Sequence, residues 1–200
     1  GIAEWRDLIH DTKVTIEEIT APNGYVINRT PQTITIHANE TTTATFDNRV
    51  QLGTITIDKL GEMDGKDMPN DHYTLEGNIF EVFEGSDTNG DLVDTITTNA
   101  SGTAKTRSLP LGIYTIRERQ ASRGYVLNTN TWTIEIKYAG QNVEITNVSQ
   151  EIKNKEQLGT ITIDKSAVEF GKDMPNANYT LEGNIFEVYE GSDTSGKLVD

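Results

Sequence analysis

Residues Leu52–Asp94 and Leu158–Asp200 align without a gap and are identical at 33 of 43 positions, with "GTITIDK", "GKDMPN" and "YTLEGNIFEV" repeated intact. A chain that carries one segment twice, 106 residues apart, folds as an array of like units, so the duplication constrains the architecture before any local propensity is weighed. The rest of the repeat also occurs twice, since "VTIEEITAPNGYVIN" from Val14 parallels "YTIRERQASRGYVLN" from Tyr114. Residues 1–51 therefore read as the C-terminal half of a unit, 52–150 as a complete unit, 151–157 as a linker and 158–200 as the N-terminal half of the next. Asn48 stands 11 residues before Lys59, whereas Asn147 stands 18 before Lys165, the additional residues falling in the charged stretch "EIKNKEQ". This difference predicts a nearly rigid first junction and a looser second one.

Each unit reads as β-structure. "TITIDK", "IFEVFE", "IYTIRE", "TWTIEIKY" and "NVEITNV" alternate apolar with polar residues, the period of a strand that buries one face. Turn-formers in "EGSDTNGD", "SRGY" and "YAGQN" separate these runs at the spacing of a sandwich or barrel. No segment sustains a helical period over three turns, although "LGEMDGKDMPND" has room for a short irregular element. A unit of about a hundred residues buries one modest core. The expected fold is all-β, with tandem immunoglobulin-like antiparallel sandwiches of about seven strands each.

The alternation raises a problem of charge. In "GTITIDK" the face that carries Ile55 and Ile57 continues to Lys59, and an unpaired ammonium in a core is costly. Likewise Tyr114 and Ile116 continue to Glu118, and Val143 and Ile145 to Asn147. The half-units repeat the pattern, with Val14 and Ile16 leading to Glu18, Ala44 and Phe46 to Asn48, and Ile161 and Ile163 to Lys165. Two readings follow from the residues. Each polar group sits where its strand leaves the core, with the lysine reaching back into water, or a Lys, a Glu and an Asn converge in an apolar interior. In the second case burial disfavours the charged forms, so that a neutral amine and a protonated acid coexist. The amine is then a nucleophile, and the acid can polarise the carboxamide and carry protons. Attack expels ammonia and leaves a Lys–Asn amide, accelerated because folding holds the partners together.

The order "TITIDK", "GNIFEV", "NASGTA", "LGIYTIRE…GY" and "VEITN" resembles the Cna protein B-type (SpaA-like) domain of Gram-positive pilins and surface adhesins, over essentially the whole chain. The resemblance implies a prealbumin-like sandwich with an intramolecular isopeptide bond between a first-strand Lys and a last-strand Asn, promoted by an acid on a middle strand. By position it implies Lys59 and Asn147 as the bonded pair of the complete unit and Glu118 as its acid. In the half-units it implies Lys165 and Asn48 as bond-forming residues and Glu18 as the acid. "EITAPNGY" looks like the E-box of such domains; the complete unit departs from it in "ERQASRGY", where Ser122 stands in place of Pro. The acid is retained, so the chemistry is expected to be unaffected.

The function expected is a structural stalk or spacer of a cell-wall-anchored adhesin or pilus, extracellular, with neighbouring repeats as its first partners and no catalysis beyond the self-reaction. The alternative is a ligand-binding adhesin module whose loops, such as "EGSDTNGD", contact a host protein or glycan. A net charge of −14 argues against nucleic acid and anionic membranes as partners, since phosphate is bound mainly through Lys and Arg. No apolar run is long enough for a transmembrane helix, so no membrane insertion is expected in this segment. Cysteine is absent, which leaves neither disulfides nor thiolate metal sites. "DTNGD" has its glycine at the fourth position, unlike a calcium loop, and His10, His37 and His72 are scattered, so neither a metal nor a cofactor is expected. The half-units hold one full set of Lys165, Glu18 and Asn48 between them. They belong either to a longer array or to a head-to-tail association in which the end of one molecule completes the start of the next.

Overall fold

The computed structural model describes residues 1–62, 71–166 and 179–199. The chain forms two compact units, Gly1–Gln157 and Leu158–Asp200. In the first unit the strands are β1 (Lys13–Ile16), β2 (Tyr25–Val26), β3 (Gln32–Thr35), β4 (Arg49–Val50), β5 (Leu52–Glu62) and β6 (Ile79–Glu84). They continue with β7 (Leu92–Thr97), β8 (Thr103–Lys105), β9 (Leu109–Pro110), β10 (Gly112–Gln120), β11 (Thr131–Ile136) and β12 (Ile145–Lys155). The all-β expectation holds: no helix occurs among the described residues. The irregular element expected in "LGEMDGKDMPND" falls largely on residues 63–70, outside the described residues.

The complete repeat is a sandwich of two four-stranded sheets, one in the order β11-β10-β6-β7 and the other β12-β5-β8 with β9 also on β5. The first is antiparallel throughout. In the second, β12 runs parallel to β5 over eleven residue pairs, from Ile145 opposite Leu52 to Lys155 opposite Glu62. Period-two alternation fills the space between the sheets, with Ile55 and Ile57 from β5, Phe80 and Val82 from β6, and Tyr114 and Ile116 from β10. Leu109, Ile136 and Ile152 close the core. The "EGSDTNGD" stretch is the β6–β7 connection. Asp87 Oδ1 accepts from Asn89 N at 2.8 Å, and Gly90 passes so close to Glu84 that a Cβ there would lie 1.7 Å from its carbonyl oxygen.

The stretch expected to be a linker is strand instead. β12 runs on to Lys155, Glu156 bridges to Tyr125, and Gln157 N donates to Gly124 O at 2.7 Å. The reason is visible in the side chains: Ile152 and Asn154 alternate inward, both buried, so pairing with β5 continues through the charged residues that point outward. Gln51 N makes the corresponding bond to Gly24 O at 2.7 Å. The two repeats thus end in the same way.

The half-repeat at the start of the chain pairs β1 with β3 and β2 with β4, both antiparallel. It meets the complete repeat through the loop 138–144. Gln51, only 1% exposed, donates from Nε2 to Gly140 O at 2.9 Å and Val143 O at 2.5 Å, while its Oε1 accepts from Ala139 N at 2.7 Å. Gln141 reaches the other way: its Oε1 accepts from Ala21 N and its carbonyl from Ile27 N, at 2.9 and 3.0 Å. Arg29 donates to Asn142 and Arg49 to Glu144 at the rim.

Gln51→Ala would strand buried backbone groups in this joint, at about 1–3 kcal/mol for each group left unsatisfied. The expected result is faster amide exchange in residues 19–29 and 138–144 with unchanged protection in β5, β6 and β10, read by hydrogen–deuterium exchange.

Candidate functional site

The register of β12 on β5 decides which polar groups meet. Ile152 lies opposite Lys59 and Asn154 opposite Gly61, so Asn154 is on the inward face two residues beyond the lysine. β10 delivers Glu118 from the facing sheet as the next inward position after Tyr114 and Ile116. The three side chains are among the most buried polar groups of the molecule: Lys59 is 1% exposed, Asn154 2% and Glu118 3%.

Asn154 Nδ2 donates to Glu118 Oε2 at 2.7 Å and Oε1 at 2.9 Å, and to Val126 O at 2.9 Å. Glu118 Oε2 also accepts from Asn128 N at 2.7 Å. The carboxyl group is therefore held by the turn that follows β10 as well as by β12. Lys59 Nζ donates to Leu60 O at 2.7 Å and sits 5.0 Å from the centroid of the Tyr125 ring. Burial lowers the lysine pKa to about 8, partly offset by the nearby Glu118 charge. Two polar atoms here are buried without a hydrogen-bond partner, Asn154 Oδ1 and Tyr125 OH. Gly61 packs against the Tyr125 side chain, so that a Cβ at that position would lie 2.1 Å from the hydroxyl oxygen. Ser122, at the position of Pro22, donates its N–H to Asn78 Oδ1 at 2.9 Å and its hydroxyl to Thr74 O. A proline there has no N–H to give.

Asn147 is elsewhere. It pairs with Thr54, five residues from Lys59, which is about 16 Å along a strand that rises about 3.3 Å per residue. Five is an odd number, so Asn147 also points to the opposite face. There it is exposed, and its Oδ1 accepts from the Thr54 and Thr56 hydroxyls at 2.9 and 3.0 Å. The expected inward set Val143, Ile145 and Asn147 is thus displaced by Val148, Gln150, Ile152 and Asn154. Sequence reasoning missed Asn154 because Gln150 interrupts the apolar alternation. A second signal was present: Asn154 stands 11 residues before Lys165, as Asn48 does before Lys59, so the two junctions are equal in length.

The half-repeat holds the same acid and amide. Asn48 Nδ2 donates to Glu18 Oε2 at 2.7 Å and to Val26 O at 3.0 Å, and Asn28 N donates to Glu18 Oε2 at 2.7 Å. Each of these three bonds has its counterpart among Asn154, Val126, Asn128 and Glu118, where Asn154 Nδ2 makes one further bond to Glu118 Oε1. In the second unit Lys165 is exposed and donates to Ser166 O at 3.0 Å, as Lys59 does to Leu60.

A two-sheet β-sandwich with a lysine on β5, an acid on β10 and an amide on β12, all turned into the core, defines the class. The chain belongs to the SpaA prealbumin-like fold domain family, whose profile matches residues 1–50 and 53–151. It is 36% identical over 122 residues to the trypsin-resistant surface T6 protein of Streptococcus pyogenes serotype M6, covering 56% of this chain and 22% of that protein. Among solved structures it is similar to the Bacillus anthracis TIE protein, with a TM-score of 0.57 and 30% identity over 72% of this chain and 25% of that one. The T6 backbone pilin of serotype M6 Streptococcus pyogenes matches at 26% identity and a TM-score of 0.36, over 56% of this chain and 18% of that one. The chain spans about a quarter or less of the length of these relatives.

Two outcomes follow for the buried groups. In an Asn154→Ala variant, which keeps Lys59 as a free amine in every case, the folded lysine binds its proton less tightly than the unfolded one. The unfolded chain therefore holds more protons between about pH 8 and the ordinary lysine value near 10.4, and stability should rise with pH across that window. Urea denaturation at pH 7, 8 and 9.5 reads the trend, and a flat or falling profile contradicts the assignment. Tyr125→Phe removes a buried hydroxyl that has no partner, so stability should be unchanged or higher by about 1 kcal/mol, measured by thermal unfolding.

Proposed function

We propose that this chain is a stalk segment of a Gram-positive surface protein or pilus, and that its repeats are stapled by an isopeptide bond from Lys59 to Asn154 promoted by Glu118. The observation that carries the reading is the Asn154 amide held 2.7 Å from the Glu118 carboxyl group on the strand next to a buried lysine. Burial brings the lysine to about 8, so that roughly one amine in ten is neutral at pH 7, far more than for a lysine in water. The neutral Nζ attacks Asn154 Cγ, the Cγ–Nδ2 bond breaks, and Nδ2 departs as ammonia with a proton relayed through Glu118 from the attacking amine. Val126 O and Asn128 N hold amide and acid in place during the exchange.

The mechanical argument supports the same role. β5 and β12 run parallel and lie at opposite ends of the repeat in sequence, so tension along an array pulls them past each other and shears their ladder. A covalent bridge between Lys59 and Asn154 would carry that load and relieve the residues between them. The Gln51 joint would keep successive repeats from pivoting. The similarity to the trypsin-resistant surface T6 protein favours a cell-surface setting.

Intact-mass measurement tests the bond. The monomer should be lighter than its calculated mass by one ammonia for this repeat. Lys59→Ala, Asn154→Ala and Glu118→Ala should each restore that ammonia, and Asn147→Ala should not. A complete repeat at full mass overturns the reading, as does a loss abolished by Asn147→Ala alone. The unlinked variants should be less stable by roughly 4–5 kcal/mol, by the loop-closure estimate for a cross-link spanning about a hundred residues.

A further inference from the structure

Two buried side-chain atoms have no hydrogen-bond partner among the described residues, Asn154 Oδ1 and Tyr125 OH, and the fold sets them next to each other. Gly61 faces Asn154 across the β5–β12 ladder, and a Cβ at Gly61 would lie 2.1 Å from the Tyr125 hydroxyl oxygen. The hydroxyl thus fills the inward position that Gly61 leaves open, one strand spacing, about 4.8 Å, from the Asn154 strand. Two further contacts fix the same neighbourhood: Tyr125 bridges to Glu156, and Val126 O accepts from Asn154 Nδ2 at 2.9 Å. The ring is held in a T-shaped contact with Tyr73, 5.6 Å between centroids, and Lys59 Nζ sits 5.0 Å from its centre. Of the two unpaired atoms, the amide oxygen only accepts, whereas the phenol has a proton to offer. Burial, with Tyr73 and Glu156 adding to it, raises the Tyr125 phenol above its ordinary value, so that proton stays in place.

We propose that Tyr125 is the oxyanion donor of the bond-forming reaction, its hydroxyl donating to Asn154 Oδ1 as Lys59 Nζ adds to Cγ. The inference rests on the function proposed above and divides its chemistry between two groups. Both Glu118 oxygens are taken, Oε1 by Asn154 Nδ2 and Oε2 by Asn154 Nδ2 and Asn128 N, so the acid faces the departing nitrogen and not the carbonyl oxygen. When the Nζ–Cγ bond forms, the carbonyl π electrons move onto Oδ1, and in a buried site that charge needs a donor aimed at it. The phenol supplies one without giving up its proton. The Cγ–Nδ2 bond then breaks, ammonia leaves with the proton relayed through Glu118, and the charge on Oδ1 is lost as the carbonyl is restored. The two atoms are unpaired beforehand, as suits a contact made with the tetrahedral state; a contact equally strong in the starting amide would not accelerate the step.

Tyr125→Phe keeps the ring against Lys59 and removes only the hydroxyl. The 200-residue chain and this variant, made by cell-free synthesis and quenched in denaturant at timed intervals, are compared by intact mass. Loss of the ammonia of the complete repeat should be slower in Tyr125→Phe by about 100-fold or more, the usual effect of deleting one oxyanion donor, and should end at the same linked mass. Hydrogen–deuterium exchange in β5, β10 and β12 should be the same in Lys59→Ala and in Lys59→Ala with Tyr125→Phe, two chains in which this bond has no amine to form it. Equal rates of ammonia loss with and without the hydroxyl overturn the proposal and leave the proposed function standing. No loss from either chain overturns both. A slower loss accompanied by faster exchange in the unreactive pair also overturns the proposal, because the hydroxyl then acts through the fold and not on the reacting amide.

Discussion

The parallel pairing of β5 with β12 is the constraint on which the rest depends. Eleven consecutive residue pairs set one register, and in a strand pair a slip of one residue sends every side chain to the other face. This register places Ile152 and Asn154 in the core beside Lys59 and leaves Asn147 outside with the two threonines. A shift by one would bury Lys153 and expose Asn154. The buried triad is therefore a consequence of the ladder, and the ladder in turn is anchored by Ile55, Ile57 and Ile152, all enclosed between the sheets.

The polar interior is tolerable only because it is closely partnered. Glu118 receives donors from Asn154 and Asn128, and Lys59 spends a proton on the Leu60 carbonyl beneath the Tyr125 ring. What stays unmatched is the Asn154 carbonyl oxygen and the tyrosine hydroxyl. An unmatched amide oxygen in a core is a cost that a fully folded structural domain would ordinarily remove. The same acid–amide contact recurs in the half-repeat at the same 2.7 Å, between Glu18 just after β1 and Asn48 just before β4.

Order passes between repeats through polar contacts. Gln51 is enclosed by backbone groups of the 138–144 loop, and Gln141 returns the favour to the turn at Ala21. Hydrogen bonds of this kind add little net stability one by one, yet several of them with fixed directions determine an orientation, which an apolar contact of the same size would leave free to slide. Gln157 begins the same arrangement at the end of the complete repeat with its bond to Gly124.

The sequence by itself determined the repeat, the β class, and the inward course of Lys59 and Glu118, because each of these is a local or periodic property. Alternation in "TITIDK" and "YTIRE" is unbroken, so the phase of those strands is unambiguous. The last strand was different. "VEITNVSQEIKNK" contains two alternations of opposite phase, and the apolar one that begins at Val143 is the more regular to the eye. Only pairing with β5 chooses between them, because burying Val148 and Ile152 beside Ile55 and Lys59 requires a contact between segments nearly a hundred residues apart. The charged residues read as a linker became strand for the same reason: Lys153 and Lys155 face outward once Ile152 and Asn154 face in. The joint at Gln51 was likewise invisible in one dimension, since a glutamine beside a strand announces nothing until a loop folds over it. Periodicity states which faces exist, and tertiary structure decides which of them meet.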